Sequence, residues 1–386
     1  MPHALLSPSG ASRWMACTPS ARLEESFKDS GSSYAAEGTL AHELAEVLCR
    51  HMDKQISVDE MVSRVDEIGK SEYFDADMWE YLTAYVGYVQ ECLTEARAAT
   101  PDAILDIESR LDLHEWIPDG FGTADVVIVS DGLLHVVDLK YGKGVPVTAD
   151  NNMQLMIYGL GALDKYDYLF DLHTVRLTIY QPRLDVISTW EISAADLRQW
   201  AETELKEKAR LAFEGSGAYA ADDHCRFCKA KASCRARAEE NLRLARYDFK
   251  DGPLLTNVEI ADILRVAENL KDWADDVSAY ALQQALSGEK YDGFKLVEGR
   301  SNRTFTDEAA AKTVLESIYS PEHIYTTKLK GITDLEKLMG KKTFTEILGK
   351  FVVKPTGKPT LVSVMDKRPE WTNNSSAIAD FQDISA

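Results

Sequence analysis

Apolar positions along the first hundred residues recur at helical spacing. Leu40, Leu44, Val47 and Leu48 put a stripe on a helix over Ala35–Met52, and Met78, Leu82, Tyr85, Val89 and Cys92 do the same over Asp77–Ala98. Between them, residues 53–75 are charged and predict a loop with a short helix. Residues 1–35 are Ser-, Gly- and Pro-rich and predict an irregular lead-in with a short helix at Ser12–Cys17. The period then changes from helical to twofold. Ala103–Leu113 alternates, and Thr123–Val129 and Leu133–Leu139 are β-rich runs joined by Ser130-Asp131-Gly132, a strong hairpin signal. A helix from Asn151 to about Leu163 follows, then strands at Thr174–Tyr180 and Val186–Glu191. A long helix, Ala194–Glu214, starts after the N-cap candidate Ser193. Three strands, a helix, two strands and a helix exclude a doubly wound repeat but allow one parallel crossover. The expected class is α/β with a mixed central sheet flanked by helices. Further on, the pattern predicts a helix at Asn257–Ser287, and then a smaller α/β module with a strand at Phe294–Glu298 and a helix at Asp307–Tyr319. A disordered tail is expected after Pro369.

Composition narrows the function. The chain has 386 residues, 45% of them hydrophobic, with 43 basic against 63 acidic side chains and a formal charge of −20. That charge argues against a protein that coats DNA without sequence preference, which needs a broad basic face. It leaves room for an enzyme that meets nucleic acid through one local patch. No apolar run reaches the ~18 residues of a membrane span. Met1–Cys17 lacks a basic start followed by an apolar core, so no secretory signal and no membrane partner are expected, and a reducing cytoplasm is the expected compartment. Of the six cysteines, Cys49 and Cys92 sit on apolar helix faces and read as buried packing residues.

The chemistry concentrates in Gly122-Thr123-Ala124-Asp125 and His135-Val136-Val137-Asp138-Leu139-Lys140. In an antiparallel hairpin the start of one arm lies beside the end of the other, which brings Asp125 to Asp138. Twofold periodicity puts Asp138 and Lys140 on one face and Leu139 on the other. Two carboxylates and a lysine at one sheet end suit a hard cation, Mg²⁺ or Mn²⁺, that keeps waters and polarises a phosphoryl oxygen. Taken singly, each of these residues also fits an ion pair or a turn cap. Glu108, on the preceding strand, is a weaker candidate carboxylate, with a surface role as the alternative.

This arrangement resembles the PD-(D/E)XK nuclease superfamily, in its RecB-like branch with an iron–sulfur cluster. The resemblance extends over about residues 1–245. It implies a restriction-endonuclease-like core and a metal-binding histidine on the upstream helix, matched by Gly38-Thr39-Leu40-Ala41-His42 with Glu46 one turn on. It also implies a Gln-x-x-x-Tyr pair after the lysine, matched by Gln154 and Tyr158. Gly122-x-x-Asp125 fits the branch, and the proline of the superfamily name is absent. Carried over, His42, Asp125 and Asp138 bind the ion, with the Leu139 carbonyl as a further ligand. Lys140 assists the attacking water, and Gln154 and Tyr158 contact the lysine or position the strand. The whole chain also resembles an uncharacterised family found in phages and prophages, which shares its Arg-Ser-Asn-Arg and Asp-Lys-Arg-Pro stretches.

Cys225-Arg226-Phe227-Cys228 with Cys234 forms a tight C-x₂-C-x₅-C cluster. Four thiolates are wanted for a Cys₄ zinc site or an iron–sulfur cluster, and Cys17 is the fourth candidate. The resemblance implies a [4Fe–4S] cluster with one cysteine before the core and three after it. Zinc, with His224 as an alternative ligand, is the competing reading. From Asp223 to Arg246 seven basic residues stand against three acidic ones. Arg226, Lys229, Lys231, Arg235 and Arg237 are therefore candidate DNA contacts.

The expected organisation is a nuclease domain over 1–249, with its core at about 36–214 and the cysteine segment at 215–249, followed by 250–386 of unassigned role. The expected activity is metal-dependent hydrolysis of DNA phosphodiesters without a covalent intermediate. By family analogy it acts as an exonuclease on single-stranded or end-bearing DNA, in phage replication or recombination inside a bacterial host cell, alongside phage proteins of those processes. A homo-oligomeric ring would suit processive action. The alternatives are a non-catalytic DNA-binding recombination accessory protein on the same scaffold, and a zinc-ribbon interaction protein.

Overall fold

The computed structural model describes residues 4–27, 33–144, 146–242, 256–297, 306–318, 320–325 and 328–353. The chain forms two compact units, Met1–Ser287 and Gly288–Ala386.

The first unit is built on a five-stranded sheet in the order β1 (Ile104–Asp112), β2 (Phe121–Ser130), β3 (Leu133–Leu139), β4 (Thr174–Gln181), β5 (Val186–Ser193). All neighbours are antiparallel except β3 and β4, which run parallel. The sheet is therefore mixed and flanked by helices, as the strand and helix order requires. Before it come the short helices α1 (Ala11–Ala16) and α2 (Ser20–Glu24), then α3 (Ser33–Met52), α4 (Val58–Ile68) and α5 (Ala76–Ala99). Helix α6 (Met153–Phe170) makes the crossover between β3 and β4. It runs seven residues past the expected end because Tyr166 and Phe170 extend its buried stripe, and it stops at Asp171 in the left-handed region, φ 44°. Asp75, Asn152 and Ser193 accept N-cap hydrogen bonds at the starts of α5, α6 and the next helix. That next helix is interrupted. A π-helical stretch at Ala201–Leu205 joins α7 (Ala194–Trp200) to α8 (Lys206–Glu214).

Two apolar layers sandwich the sheet. Val126, Ile128, Val137 and Leu139 face α3 and α5, and Val127, Val129, Leu134 and Val136 face α6. Burial on both faces explains why β2 and β3 read as near-continuous apolar runs. The alternation slips at one place. On β1, Leu105 and Ile107 face the α3/α5 layer, while Leu111 belongs to the α6 layer. On β2 the step from Val126 to Ala124 makes the same switch. Between the flanking register pairs Ile107–Val126 and Ser109–Ala124 stand Glu108 and Asp125. Glu108 adopts φ 51°, the left-handed conformation that a side chain of its size rarely takes. This is where the sheet turns its side chains over.

The lead-in folds against the core. Leu6, Trp14 and Met15 join the α6-side layer. After α8 come α9 (Arg235–Leu242) and the 30-residue α10 (Asn257–Leu286).

The regular elements among the described residues of the second unit are helices, including α11 (Glu308–Ile318), α12 (Pro321–Ile324), α13 (Ile332–Met339) and α14 (Lys341–Leu348). The strand expected at Phe294–Glu298 is not formed at residues 294–297, where Phe294 and Val297 are exposed and no strand of this unit stands among the described residues; Glu298 lies outside the described residues. The expected tail after Pro369, the Arg-Ser-Asn-Arg and Asp-Lys-Arg-Pro stretches, and Arg243 and Arg246 lie outside the described residues.

Candidate metal centre

Helix α3 lays its middle turns over the sheet end where β2 begins and β3 finishes. His42 Nδ1 lies 3.1 Å from Asp125 Oδ1, and Asp125 Oδ2 accepts from the Leu139 backbone N–H at 2.7 Å. Glu108 comes in from β1 at the point of the side-chain switch. Ligand atoms of His42, Glu108 and Asp125 lie within 4.8 Å of one another. They border a pocket of about 200 Å³ whose walls include Glu46, Cys49 and Tyr85.

The electrostatics are those of a site short of positive charge. Burial would lower the His42 pKa, but the charge and hydrogen bond of Asp125, with Asp138 behind it, raise it to about 9. Burial pushes Glu108 up, and the neighbouring Asp125 charge carries it to about 7. Asp125 is buried too, yet His42 holds its carboxyl below the ordinary range. In this state the His42 proton offsets the carboxylates, the role a cation would take.

On the α6 side sits a second group. Lys140 Nζ is 2.8 Å from Asp138 Oδ2 and donates to Gln154 Oε1 at 2.9 Å. Gln154 Nε2 donates to Asp138 Oδ1 at 3.1 Å and lies 3.2 Å from the Tyr158 hydroxyl. Asp138 Oδ2 is buried, and the Lys140 ammonium is its ion-pair partner. Burial raises the Asp138 pKa despite Lys140. Burial would lower the Lys140 pKa, but Asp138 raises it, so the ammonium keeps its charge.

Compared with the sequence expectation, His42 and Asp125 meet as foreseen, and Asp138 and Lys140 share a face with Leu139 on the other. The three-donor group differs. Glu108 takes the place expected for Asp138, whose carboxylate is turned to Lys140 and Gln154. Leu139 makes its observed contact through its N–H. Tyr158 is buried and its hydroxyl is engaged by Gln154, so it supports the lysine group rather than presenting itself to a strand. Nothing in the apolar spacing of β1 marks Glu108, because Leu105, Ile107 and Leu111 keep odd positions across the switch. A usable signal was its place opposite Asp125 once β1 and β2 are paired.

Cys17, Cys225, Cys228 and Cys234, all free thiols, line one pocket of about 310 Å³. Ser20 and Arg13 share it, and Ser20 Oγ and Arg13 Nε are buried there without a partner among the described residues. The lead-in is held to the cysteine segment by direct bonds. Glu24 accepts from the Lys229 N–H at 2.7 Å and pairs with Arg13 at 2.9 Å, and Thr18 donates to the Ser216 carbonyl at 2.6 Å. Among the candidate DNA contacts, Arg226, Lys229 and Arg235 are exposed. Arg237 is corrected: it is 6% exposed and pairs with Asp276 of α10 at 2.6 Å, and Lys231 pairs with the same carboxylate at 2.6 Å.

No helix among the described residues is long and apolar enough to cross a membrane. Residues 3–369 match the family described as protein of unknown function (DUF2800). A solved structure described as "Crystal structure of SSO0001" is similar at 14% identity over 50% of this chain and 85% of that one, with a TM-score of 0.23, a likeness too low to carry an argument.

Proposed function

The chain belongs to the DUF2800 family, a membership that brings no activity with it, and from the site itself we propose that the protein is a metal-dependent DNA nuclease. The observation that carries this reading is the approach of His42, Glu108 and Asp125, from one helix and two strands, to within 4.8 Å of one another. On one octahedral Mg²⁺, with bonds of ~2.1 Å, neighbouring donors lie ~3.0 Å apart and only opposite ones ~4.2 Å apart. The group would have to draw in by up to roughly 1–2 Å to hold such an ion. Mn²⁺ suits the same donors, and the imidazole favours it over Mg²⁺. A bound divalent ion supplies Lewis acidity to a phosphoryl oxygen and acidifies a water.

The remaining steps belong to the chain. Asp138 and Gln154 hold the Lys140 ammonium charged at the same sheet end, where it offsets phosphate charge and orients the attacking water. Tyr158 fixes Gln154. The preference for single-stranded or end-bearing DNA, the exonuclease mode and the place in phage DNA processing rest on the nuclease resemblance alone.

The cysteine pocket fits a [4Fe–4S] cluster better than zinc. Thiolates on one tetrahedral Zn²⁺ lie ~3.8 Å apart, given ~2.3 Å bonds. Among the described residues, no three of these cysteines and His224 converge within 4.8 Å. A cluster instead places each thiolate on its own iron, and the partnerless Ser20 and Arg13 donors suit its sulfurs. Its role is to tie the lead-in to the far end of the core.

The test is incubation of end-labelled single-stranded and duplex DNA with Mn²⁺ and anaerobically purified protein. Cleavage by wild type and its loss in Lys140→Ala are expected. Binding without cleavage under every metal tried would overturn the nuclease reading in favour of an accessory protein.

A further inference from the structure

Carboxylates that hold a metal ion are themselves held by donors behind them, and losing such a donor weakens metal affinity. Of the two carboxylates in the group, one has such a donor: Asp125 accepts from the Leu139 N–H. Glu108 accepts no hydrogen bond among the described residues. In the same pocket lies a donor with no acceptor. Tyr85, on α5, is 1% exposed, and its hydroxyl is buried without a partner among the described residues. Its ring is fixed by an edge contact with Tyr180, with ring centres 5.3 Å apart. Leaving a buried hydroxyl unsatisfied destabilises the fold. A phenylalanine would fill the same volume without that penalty. Other pocket-lining donors near Glu108 are His42, whose Nδ1 is turned to Asp125, and the weak Cys49 thiol.

We propose that Tyr85 is a positioning residue of the metal site: its hydroxyl donates to the Glu108 carboxylate across one water and fixes the oxygen that Glu108 turns to the cation. The inference rests on the metal reading above. The pocket is about large enough for a single water, and it offers the polar partners such a water needs. Glu108 needs the help more than its neighbours. Its left-handed backbone stands where the sheet reverses its faces.

The test is Mn²⁺ titration calorimetry on the full chain without DNA, using wild type, Tyr85→Phe, Glu108→Gln and the double variant, with melting temperatures taken alongside. Tyr85→Phe is expected to bind Mn²⁺ about 10–100-fold more weakly with its melting temperature kept or raised. In the Glu108→Gln background the same change should alter affinity less than about twofold, because the tyrosine acts through Glu108. Wild-type affinity in Tyr85→Phe would overturn the inference. So would an equal loss in both backgrounds, which would mean that Tyr85 acts through packing. Absence of Mn²⁺ binding by wild type is a different result and would overturn the metal reading itself.

Discussion

Glu108 shows how a single residue can be set against the regularity around it. A non-glycine residue held at φ 51° costs on the order of 1 kcal/mol or more, and such conformations gather at functional sites. Glu108→Gly is therefore expected to keep or raise the melting temperature while removing most of the Mn²⁺ affinity, read by thermal unfolding and calorimetry on the same sample. A fall in stability would mean that the glutamate is there for the fold. His135 makes the opposite case. It is 4% exposed, lies 2.9 Å from Thr178 Oγ1, and burial with Arg176 nearby lowers its pKa to about 3. Folding thus favours the neutral ring. Its contribution is complete above the unfolded value of 6.5 and is lost as pH falls from there toward about 3. The slope is at most ~1.4 kcal/mol per pH unit. His135→Gln should flatten the acid limb of a stability–pH curve between pH 6.5 and 4. An unchanged limb would place acid sensitivity elsewhere. At this scale the sequence was legible where chemistry and position agreed, as in Asp125, Asp138, Lys140 and Gln154. It offered Glu108 only as a weaker candidate beside a surface role, since backbone handedness leaves no mark in an apolar period.

At the scale of elements, period and turn chemistry were enough for the hairpin. Leu133–Leu139 is found where the alternation puts it, and the parallel β3–β4 pair follows from the intervening helix. Lengths and breaks were less visible. The π-helical stretch at Ala201–Leu205 is invisible to a 3.6-residue count, and residues 294–297 have strand composition but no strand beside them among the described residues of their unit. Close approaches are also invisible from one element alone. A Cβ on Gly122 would stand 2.8 Å from Pro8 Cγ and 3.0 Å from Tyr158 Cε1. The glycine of the Gly-x-x-Asp stretch therefore lets α6 and the lead-in close on β2. Gly122→Val is expected to cost about 1–3 kcal/mol, as overpacked sites do. Because the displaced ring is Tyr158, it should also loosen the Gln154–Lys140 group and lower any Mn²⁺-dependent cleavage. Denaturant melts and the DNA assay check the two effects. Full activity in a destabilised variant would separate Tyr158 from the lysine.

For the molecule as a whole, the charge of −20 and the cysteine segment look different once folded. Part of the apparent basic patch is internal, because Arg237 and Lys231 close on Asp276 and dock α10 on α9. The cysteine pocket joins residues about two hundred positions apart in the chain. A cluster there would close a very long loop, and a group bound only by the folded state stabilises it. Cys17→Ser is expected to lower iron content and the melting temperature together, measured by metal analysis and calorimetry. Equal iron and stability in the variant would remove Cys17 from the site. The central claim, however, lies at the sheet end. Anomalous diffraction from a crystal soaked in Mn²⁺ tests it most directly: the account predicts a peak at bonding distance from His42, Glu108 and Asp125, and a soaked crystal with no peak there, or with the ion held elsewhere, would contradict it.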